Sequence, residues 1–300
     1  MKVSVKEGFF MEIQQRQLLF KLSLCKGISN LGKLKILEET HAQKRVNFTE
    51  AELIEFGKIT TYKEIFLASW RYYSNRPELL YEKQCQHQFL TILDPIYPKL
   101  LREIYNPPAL LFYAGNLQLL NRRKLAVVGA RYATSYGLRV TQALVPKMVA
   151  EGFTIVSGLA KGVDSCSHQT AIDHGGTTIA IVGTGLDVIY PKENGSLQKR
   201  LMKEQLVLSE YVNGSQPRKY HFPARNRIIA GMSLGTCIME ARKNSGSLIT
   251  AQAALEYGRE VFAVPGSIFH SFSTGCHELI KDGAKCTNSV DDIVKELSIF

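Results

Sequence analysis

Apolar residues recur at three- and four-residue spacing through residues 11–80, in the series Leu18, Leu19, Leu22, Leu31, Leu34, Leu37, Leu53, Ile54, Ile65 and Phe66. That is the period of helices that each bury one face. The pattern changes at Asp94-Pro95-Ile96-Tyr97-Pro98, where two prolines exclude a helix interior. Asn106-Pro107-Pro108 then leads into an expected strand over Ala109–Tyr113, with a turn at Gly115-Asn116. From Lys124 onward short apolar runs alternate with helical stretches. Strands are predicted at Leu125–Val128, Thr154–Val156, Thr178–Val182, Leu206–Ser209, Cys237–Glu240 and Val261–Val264. Helices are predicted at Ser135–Glu151, Gly162–Asp173, Gly195–Lys203, Ser247–Tyr257 and Gly275–Lys281. Continuous apolar runs joined by helical crossovers imply an α/β domain, a parallel sheet covered on both faces. The division expected is a helical domain over 1–93 and an α/β domain over 94–300. Residues 1–10 precede the periodic pattern and are expected as a disordered extension, with Met11 an alternative start.

Ligands of such sheets bind outside the carboxyl ends of the strands, and the polar signals of this chain cluster there. The organising stretch is Leu125–Gly137, L-A-V-V-G-A-R-Y-A-T-S-Y-G. A buried strand, a glycine turn at Gly129 and a helix capped by Ser135 make a site where backbone N–H groups and the helix dipole favour an anion. Arg131 adds a planar fork of donors suited to phosphate oxygens. Three more Gly-, Ser- or base-rich loops fall on the same edge: Ser157–His168, Gly183–Asn194 and Gln216–Arg227. A fourth stretch, Asn244–Ser247, opens a helix. In the helical domain, Gly27-Ile28-Ser29-Asn30-Leu31-Gly32 reads as a corner between helices. A phosphate-binding hairpin between two helices is the second reading of that stretch.

Net charge is +10, which favours a polyanionic partner. Residues 192–227 carry eight basic side chains against three acidic ones. Lys199, Arg200 and Lys203 suit an exposed helix face. Arg225-Asn226-Arg227 does not, being wedged between Phe222-Pro223 and Ile228-Ile229-Ala230. Arginines beside aromatics suit the phosphates and bases of a single strand. Tyr220 and Phe222 are the candidate stackers, with a core role an equal reading for Phe222. Six scattered cysteines without a C-x-x-C motif indicate reduced thiols in a cytoplasmic protein and no metal site. No apolar run is long enough to span a membrane, and no signal peptide is expected. Asp164 and His168 have the spacing of an acid–base pair, but no nucleophile accompanies them. Helix-start capping by Asp164 and a core contact for His168 are the preferred readings.

Several ordered blocks together resemble the DNA-processing protein A family (DprA, also called Smf). They are D-P-I-Y-P, N-P-P-A-L-L-F-Y-A-G-N, V-V-G-A-R-Y-A-T-S-Y-G, S-G-L-A-K-G-V-D, G-L-D-V-I-Y-P-K-E-N, S-E-Y, F-P-A-R-N-R-I-I-A-G, E-A-R-K-N-S-G-S-L-I-T-A, V-F-A-V-P-G and L-I-K-D-G-A. The resemblance implies an extended Rossmann-like parallel sheet flanked by helices, preceded by a small helical domain like a sterile alpha motif. It implies a non-enzymatic protein without cofactor or metal, which binds single-stranded DNA, protects incoming strands and helps load the RecA recombinase during natural transformation and recombination. Carried onto this chain, the DNA-binding residues are Arg131, Ser157, Gly158, Lys192, Lys219, Arg225, Asn226, Ser245, Gly246 and Ser247. A homodimer is implied, with His277, Ile280 and Cys286 at its interface. The chain stops soon after Asp291-Asp292, so the winged-helix domain of some members is not expected. The competing reading is a nucleotide phosphoribohydrolase-like enzyme on a related fold. Its helix-start glutamate has no counterpart between Ser245 and Gln252.

Overall fold

The computed structural model describes Lys2–Ser298. It divides into two compact units, Met1–Tyr97 with Asn106–Phe112, and Pro98–Tyr105 with Tyr113–Phe300. The first unit contains α1 (Lys2–Leu24), α2 (Asn30–Gln43), α3 (Glu50–Phe56), α4 (Lys63–Ser74) and α5 (Pro77–Gln86). Helix α1 thus begins inside the stretch expected as a disordered extension. Strand β1 (Phe89–Thr91) follows and pairs antiparallel with the start of β2 (Leu110–Gly115), Phe89 opposite Phe112. The helices start where the sequence supplies caps. Ser29 Oγ accepts from Gly32 N–H at 3.1 Å, and Thr49 and Glu52 form a capping box, each satisfying backbone donors left open at a helix start. Leu18, Leu22, Ile36, Leu53 and Phe66 form the core of this unit. All but Ile36 belong to the series whose spacing marked the helices.

The second unit contains α6 (Lys99–Arg102), β3 (Lys124–Val128), α7 (Ser135–Ala150), β4 (Thr154–Ser157), α8 (Val163–Asp173), β5 (Thr178–Val182), α9 (Gly195–Glu204) and β6 (Leu206–Ser209). It continues with α10 (His221–Gly231), β7 (Gly235–Ile238), α11 (Gly246–Glu256), β8 (Glu260–Ala263), α12 (Thr274–Lys281), β9 (Lys285–Cys286) and α13 (Val290–Leu297). Strands β3 to β9 form a parallel array in the order β6-β5-β4-β3-β7-β8-β9. Every residue of β3 to β7 is buried, as continuous apolar runs covered on both faces require. Even Lys124, the first residue of β3, is buried. Burial pulls its amine down to about 8, and it donates to the carbonyls of Leu120 and Arg122 at 2.8 and 2.7 Å. Strand order reverses at β3, so the crevice between the carboxyl ends of β3 and β7 is the topological switch point.

Three local expectations are corrected. The stretch Gln216–Arg227 is not a loop throughout, because α10 begins at His221. Pro223 sits in the first turn of that helix, where its missing N–H breaks no helical bond. Helix α7 is capped by Thr134, not Ser135: Thr134 Oγ1 accepts from Gly137 N–H at 3.3 Å. Strand β7 ends at Ile238, which places Glu240 beyond the strand and frees its carboxylate for another task. The short edge strand β9 carries too little apolar pattern to be predicted. Helix α13 is not among the predicted helices, although Val290, Ile293, Val294 and Leu297 recur at helical spacing behind a Ser289–Asp292 capping box.

Candidate nucleic-acid interface

The loops that leave the carboxyl ends of β3, β4, β5, β6 and β7 surround two adjoining cavities. The first, about 550 Å3, is lined by Arg131, Tyr132, Gly158, Lys161, Tyr190, Lys192, Phe222 and Arg225, among others. The second, about 480 Å3, lies at the switch point and is lined by Gly129, Arg131, Asp164, Arg225, Asn226, Arg242, Ser245, Gly246, Ser247 and Phe272, among others. Arg131 and Arg225 border both.

The α7 N-terminus, the anion site expected from the Gly129 turn, already holds an anion supplied by the chain. Glu240 Oε2 accepts from Thr134 N–H at 2.8 Å, and Oε1 accepts from the Thr134 hydroxyl. A Cβ on Gly137 would run into the same carboxylate, so glycine there makes room for Glu240. The helix dipole is thereby matched internally. Helix α11 differs. Ser245 has extended cap geometry (φ −77°, ψ 157°) but makes no side-chain cap bond. Its hydroxyl is hydrogen-bonded to Ser247 Oγ at 2.8 Å, and Asn226 Nδ2 donates to the Gly246 carbonyl at 3.2 Å.

Arg225 is buried, as is its neighbour Asp164, with Nη1 3.8 Å from Asp164 Oδ2. That is an ion pair too long for a hydrogen bond, and Nε has no partner. The guanidinium lies directly on Gly158, where any Cβ would coincide with Nη1. Burial raises the Asp164 carboxyl above its ordinary range, opposed by the charge of Arg225 and by the Ala160 N–H. Beneath this pair, His168 Nδ1 is 2.6 Å from Thr178 Oγ1, whose own proton goes to the Ile155 carbonyl at 2.8 Å. The imidazole therefore carries its proton on Nδ1, while Nε2 is buried without a partner. Burial, then the charge of Arg225, holds it down to about 3. Asp164 is thus paired with Arg225, and His168 is hydrogen-bonded to Thr178 in a buried position.

Arg131 is exposed and its guanidinium stands 5.3 Å from the Phe222 ring centroid. Tyr190 lies 5.5 Å from the same ring. The first cavity is therefore an aromatic slot with cations at its rim, among them exposed Lys192. Lys161 lines it too but is tied to Glu193 at 2.6 Å.

The structure brings Arg131, Gly158, Lys192, Arg225, Asn226, Ser245, Gly246 and Ser247 to this pair of cavities. It does not bring Ser157, which is fully buried with its hydroxyl donated to the Val127 carbonyl at 2.7 Å. Lys219 is exposed ahead of α10 and lines neither cavity, and the same holds for Tyr220. Arg227 is internal: it donates to Glu210 and to the Ala224 carbonyl, each at 2.7 Å. His277 Nε2 lies 3.0 Å from the Gly266 carbonyl, Ile280 is half-buried on α12, and Cys286 is exposed on β9. Sequence reasoning missed Arg242, which lies 3.7 Å over the Phe272 ring. It also missed Tyr132, 80% exposed between the cavities. Arg242 follows β7 across the switch point from Arg131, and only the strand order could have pointed to it. All six cysteines are free. No group of His, Cys, Asp and Glu among the described residues could hold a metal, and no described helix is long and apolar enough to cross a membrane.

A parallel α/β sheet with a crevice at its switch point defines a Rossmann-like class of protein. Residues 88–298 match the model of the family described as DNA recombination-mediator protein A, and the chain belongs to that family. It is 52% identical over 206 residues to DNA processing protein DprA of Streptococcus pneumoniae, covering 69% of this chain and 73% of that protein. Over 202 residues it is 46% identical to the Bacillus subtilis protein of the same name, covering 67% and 68%. The X-ray structure of the S. pneumoniae protein superposes with a TM-score of 0.85 at 41% identity, over 94% of this chain and 97% of that one. A structure of DNA processing protein A from Helicobacter pylori, described for its single-stranded DNA binding mode, matches with a TM-score of 0.63 at 31% identity. It covers 71% of this chain and 96% of that one.

Proposed function

We propose that this protein binds single-stranded DNA in the two cavities and carries out no chemistry on it. In this reading it acts in the cytoplasm as a homodimer, shields incoming strands, and delivers them to the RecA recombinase during natural transformation and recombination. The observation that carries the reading is Arg131 held 5.3 Å from Phe222 at the common rim of both cavities. A guanidinium beside an aromatic face offers a phosphate a charged fork and a base a stacking surface. The relatives named for DNA processing, and the H. pylori protein described for single-strand binding, support it.

A single strand fits this slot better than a duplex, because only unpaired bases can turn their faces into an aromatic cleft. The test is a salt titration of the full chain against labelled single- and double-stranded oligonucleotides of matched sequence. The single strand should bind more tightly, with affinity falling as salt rises. Each phosphate contact removed should flatten the slope of log K against log salt by about 0.7. Equal affinity for both forms, or none for either, would refute the reading. Sedimentation of wild type and Ile280→Lys tests the homodimer, and RecA coverage of a protected strand tests delivery.

A further inference from the structure

The turn that carries Gly27, Ile28 and Ser29 has a counterpart in the same helical unit. Residues 25–29 join α1 to α2, and residues 57–62 join α3 to α4. The two turns pack backbone to backbone. Gly27 has φ +80°, and a Cβ there would stand 2.8 Å from the Tyr62 carbonyl oxygen. A Cβ on Gly32 would stand 2.7 Å from the carbonyl oxygen of Gly57. Between them lies a cavity of about 370 Å3, lined by Gly27, Ile28, Ser29, Lys58, Thr60 and Tyr62, among others, with no carboxylate in its wall. Helices α2 and α4 both start at this cavity, from Ser29 and Tyr62. Tyr62 makes no side-chain cap bond, so the first N–H groups of α4 stay open.

Charge is an observation independent of the helix starts. The amine of Lys58 stands in hydrogen-bond contact with that of Lys35, and this contact pulls Lys35 below its ordinary range, with Glu38 opposing it only in part. Two amines that close repel one another unless an anion joins them. Lys26 and Lys63 flank the same turns and are exposed. None of these four lysines forms an ion pair among the described residues. Glu50 and Glu52, at the start of α3, are held instead by Arg71 and Arg45.

We propose that the two turns form a separate nucleic-acid site that grips the phosphodiester backbone of a duplex. One phosphate sits at the turn amides and the start of α4, and a neighbouring phosphate lies between Lys35 and Lys58. The cavity wall offers backbone amides, hydroxyls and a lysine, with Tyr62 its one aromatic ring and no arginine. Such a surface reads backbone charge and not base identity. A duplex suits it, because its phosphates face outward at fixed spacing while its bases need no partner. A single strand would leave its bases with too few rings to stack on. The site lies outside the strand-binding cavities and does not depend on that reading.

The experiment uses the full chain as wild type, Arg131→Ala, the double variant Lys35→Gln with Lys58→Gln, and the same pair changed to Arg. The probes are a fluorescein-labelled duplex and labelled oligo-dT of equal length, each titrated with salt. Wild type should bind the duplex measurably, though more weakly than oligo-dT. The Gln pair should weaken duplex binding at least about tenfold at low salt and flatten its slope of log K against log salt by about 1.8, or about 0.9 for each phosphate contact. It should leave oligo-dT within twofold of wild type, and the Arg pair should restore the duplex. Removing two amines that repel each other should not lower the melting temperature, which a melt checks. Arg131→Ala should do the converse, weakening oligo-dT and sparing the duplex. No duplex binding by wild type, or full duplex binding by the Gln pair, would overturn the second site and leave strand binding standing. Equal losses on both probes in the Gln pair would place the lysines on the single strand's path and overturn the duplex assignment. Absence of oligo-dT binding by wild type would overturn strand binding alone.

Discussion

Arg225→Ala is the substitution at which binding and folding are most entangled. The side chains of Arg225 and Asp164 are 6% and 8% exposed and 3.8 Å apart. Removing the arginine leaves a buried carboxylate without its counter-charge, a change that costs about 3–5 kcal/mol in buried pairs. Protonation sets an upper bound: neutralising a carboxyl of ordinary pKa about 3.9 at pH 7 takes about 4 kcal/mol. The sign with pH follows from linkage. Asp164 is already raised by burial, and loss of Arg225 raises it further. A carboxyl with a raised folded pKa contributes stability below its unfolded pKa and loses it as pH climbs through the folded value. His168, relieved of the Arg225 charge that helps hold it low, shifts the balance in the same direction. The stability deficit of Arg225→Ala should therefore be largest near pH 7 and shrink towards pH 5, by at most about 1.4 kcal/mol per pH unit for each group. Urea denaturation of the full chain at pH 5, 6 and 7 measures this, and Asp164→Asn added to Arg225→Ala should recover most of the loss. A deficit that does not change with pH, or is not relieved by Asp164→Asn, would refute the buried-pair reasoning. Strand binding by Arg225→Ala is interpretable only at a pH and temperature where the variant is folded.

Arg131→Ala should weaken single-strand binding by about 1–3 kcal/mol and leave the melting temperature unchanged, since this arginine is exposed; anisotropy and a melt together check it. Lys199→Ala, on the exposed face of α9, should leave affinity within twofold of wild type. Gly158→Ala must expel the Arg225 guanidinium from its place, so it should destabilise the fold by more than about 1 kcal/mol and abolish binding, seen in a melt and a titration. Glu240→Gln removes the charge from the α7 N-terminus and should cost about 1–2 kcal/mol by urea denaturation. His168, held down to about 3, has a folded pKa below its unfolded value. Its contribution is complete above pH about 6.5 and declines as pH falls towards 3; its NMR ring signals should not titrate between pH 8 and 5.

The parallel sheet was legible because its strands are uninterrupted apolar runs. Thr178–Val182 and Leu206–Ser209 match β5 and β6 residue for residue. Helix α10 was not legible, because Tyr220-His221-Phe222-Pro223 has turn and aromatic composition and no helical apolar period. Its inward side includes two arginines, Arg225 and Arg227, and each is paired with a carboxylate far along the chain, Asp164 or Glu210. The same pairs explain why the basic run over 192–227 overstates the charge open to a ligand. Burial of Arg225-Asn226-Arg227 was read correctly as unlike a solvated face, yet half of its cause is internal ion pairing. The anion site at Gly129 failed for a related reason. Glu240 reaches Thr134 across 106 residues of sequence, and no local pattern reports such a contact. The Ser/Gly stretch at α11 was legible from its composition, and the structure places it at the second cavity as an open helix start.

The measurement that tests the central claim most directly is photocrosslinking of a 4-thiothymidine single strand to the full chain, with the attached peptides mapped by mass spectrometry. Binding in the two cavities places crosslinks on the peptides that carry Tyr132, Tyr190, Phe222 and Phe272, and Arg131→Ala should suppress them. Crosslinks confined to α9 or to the first unit, at undiminished yield in Arg131→Ala, would contradict it.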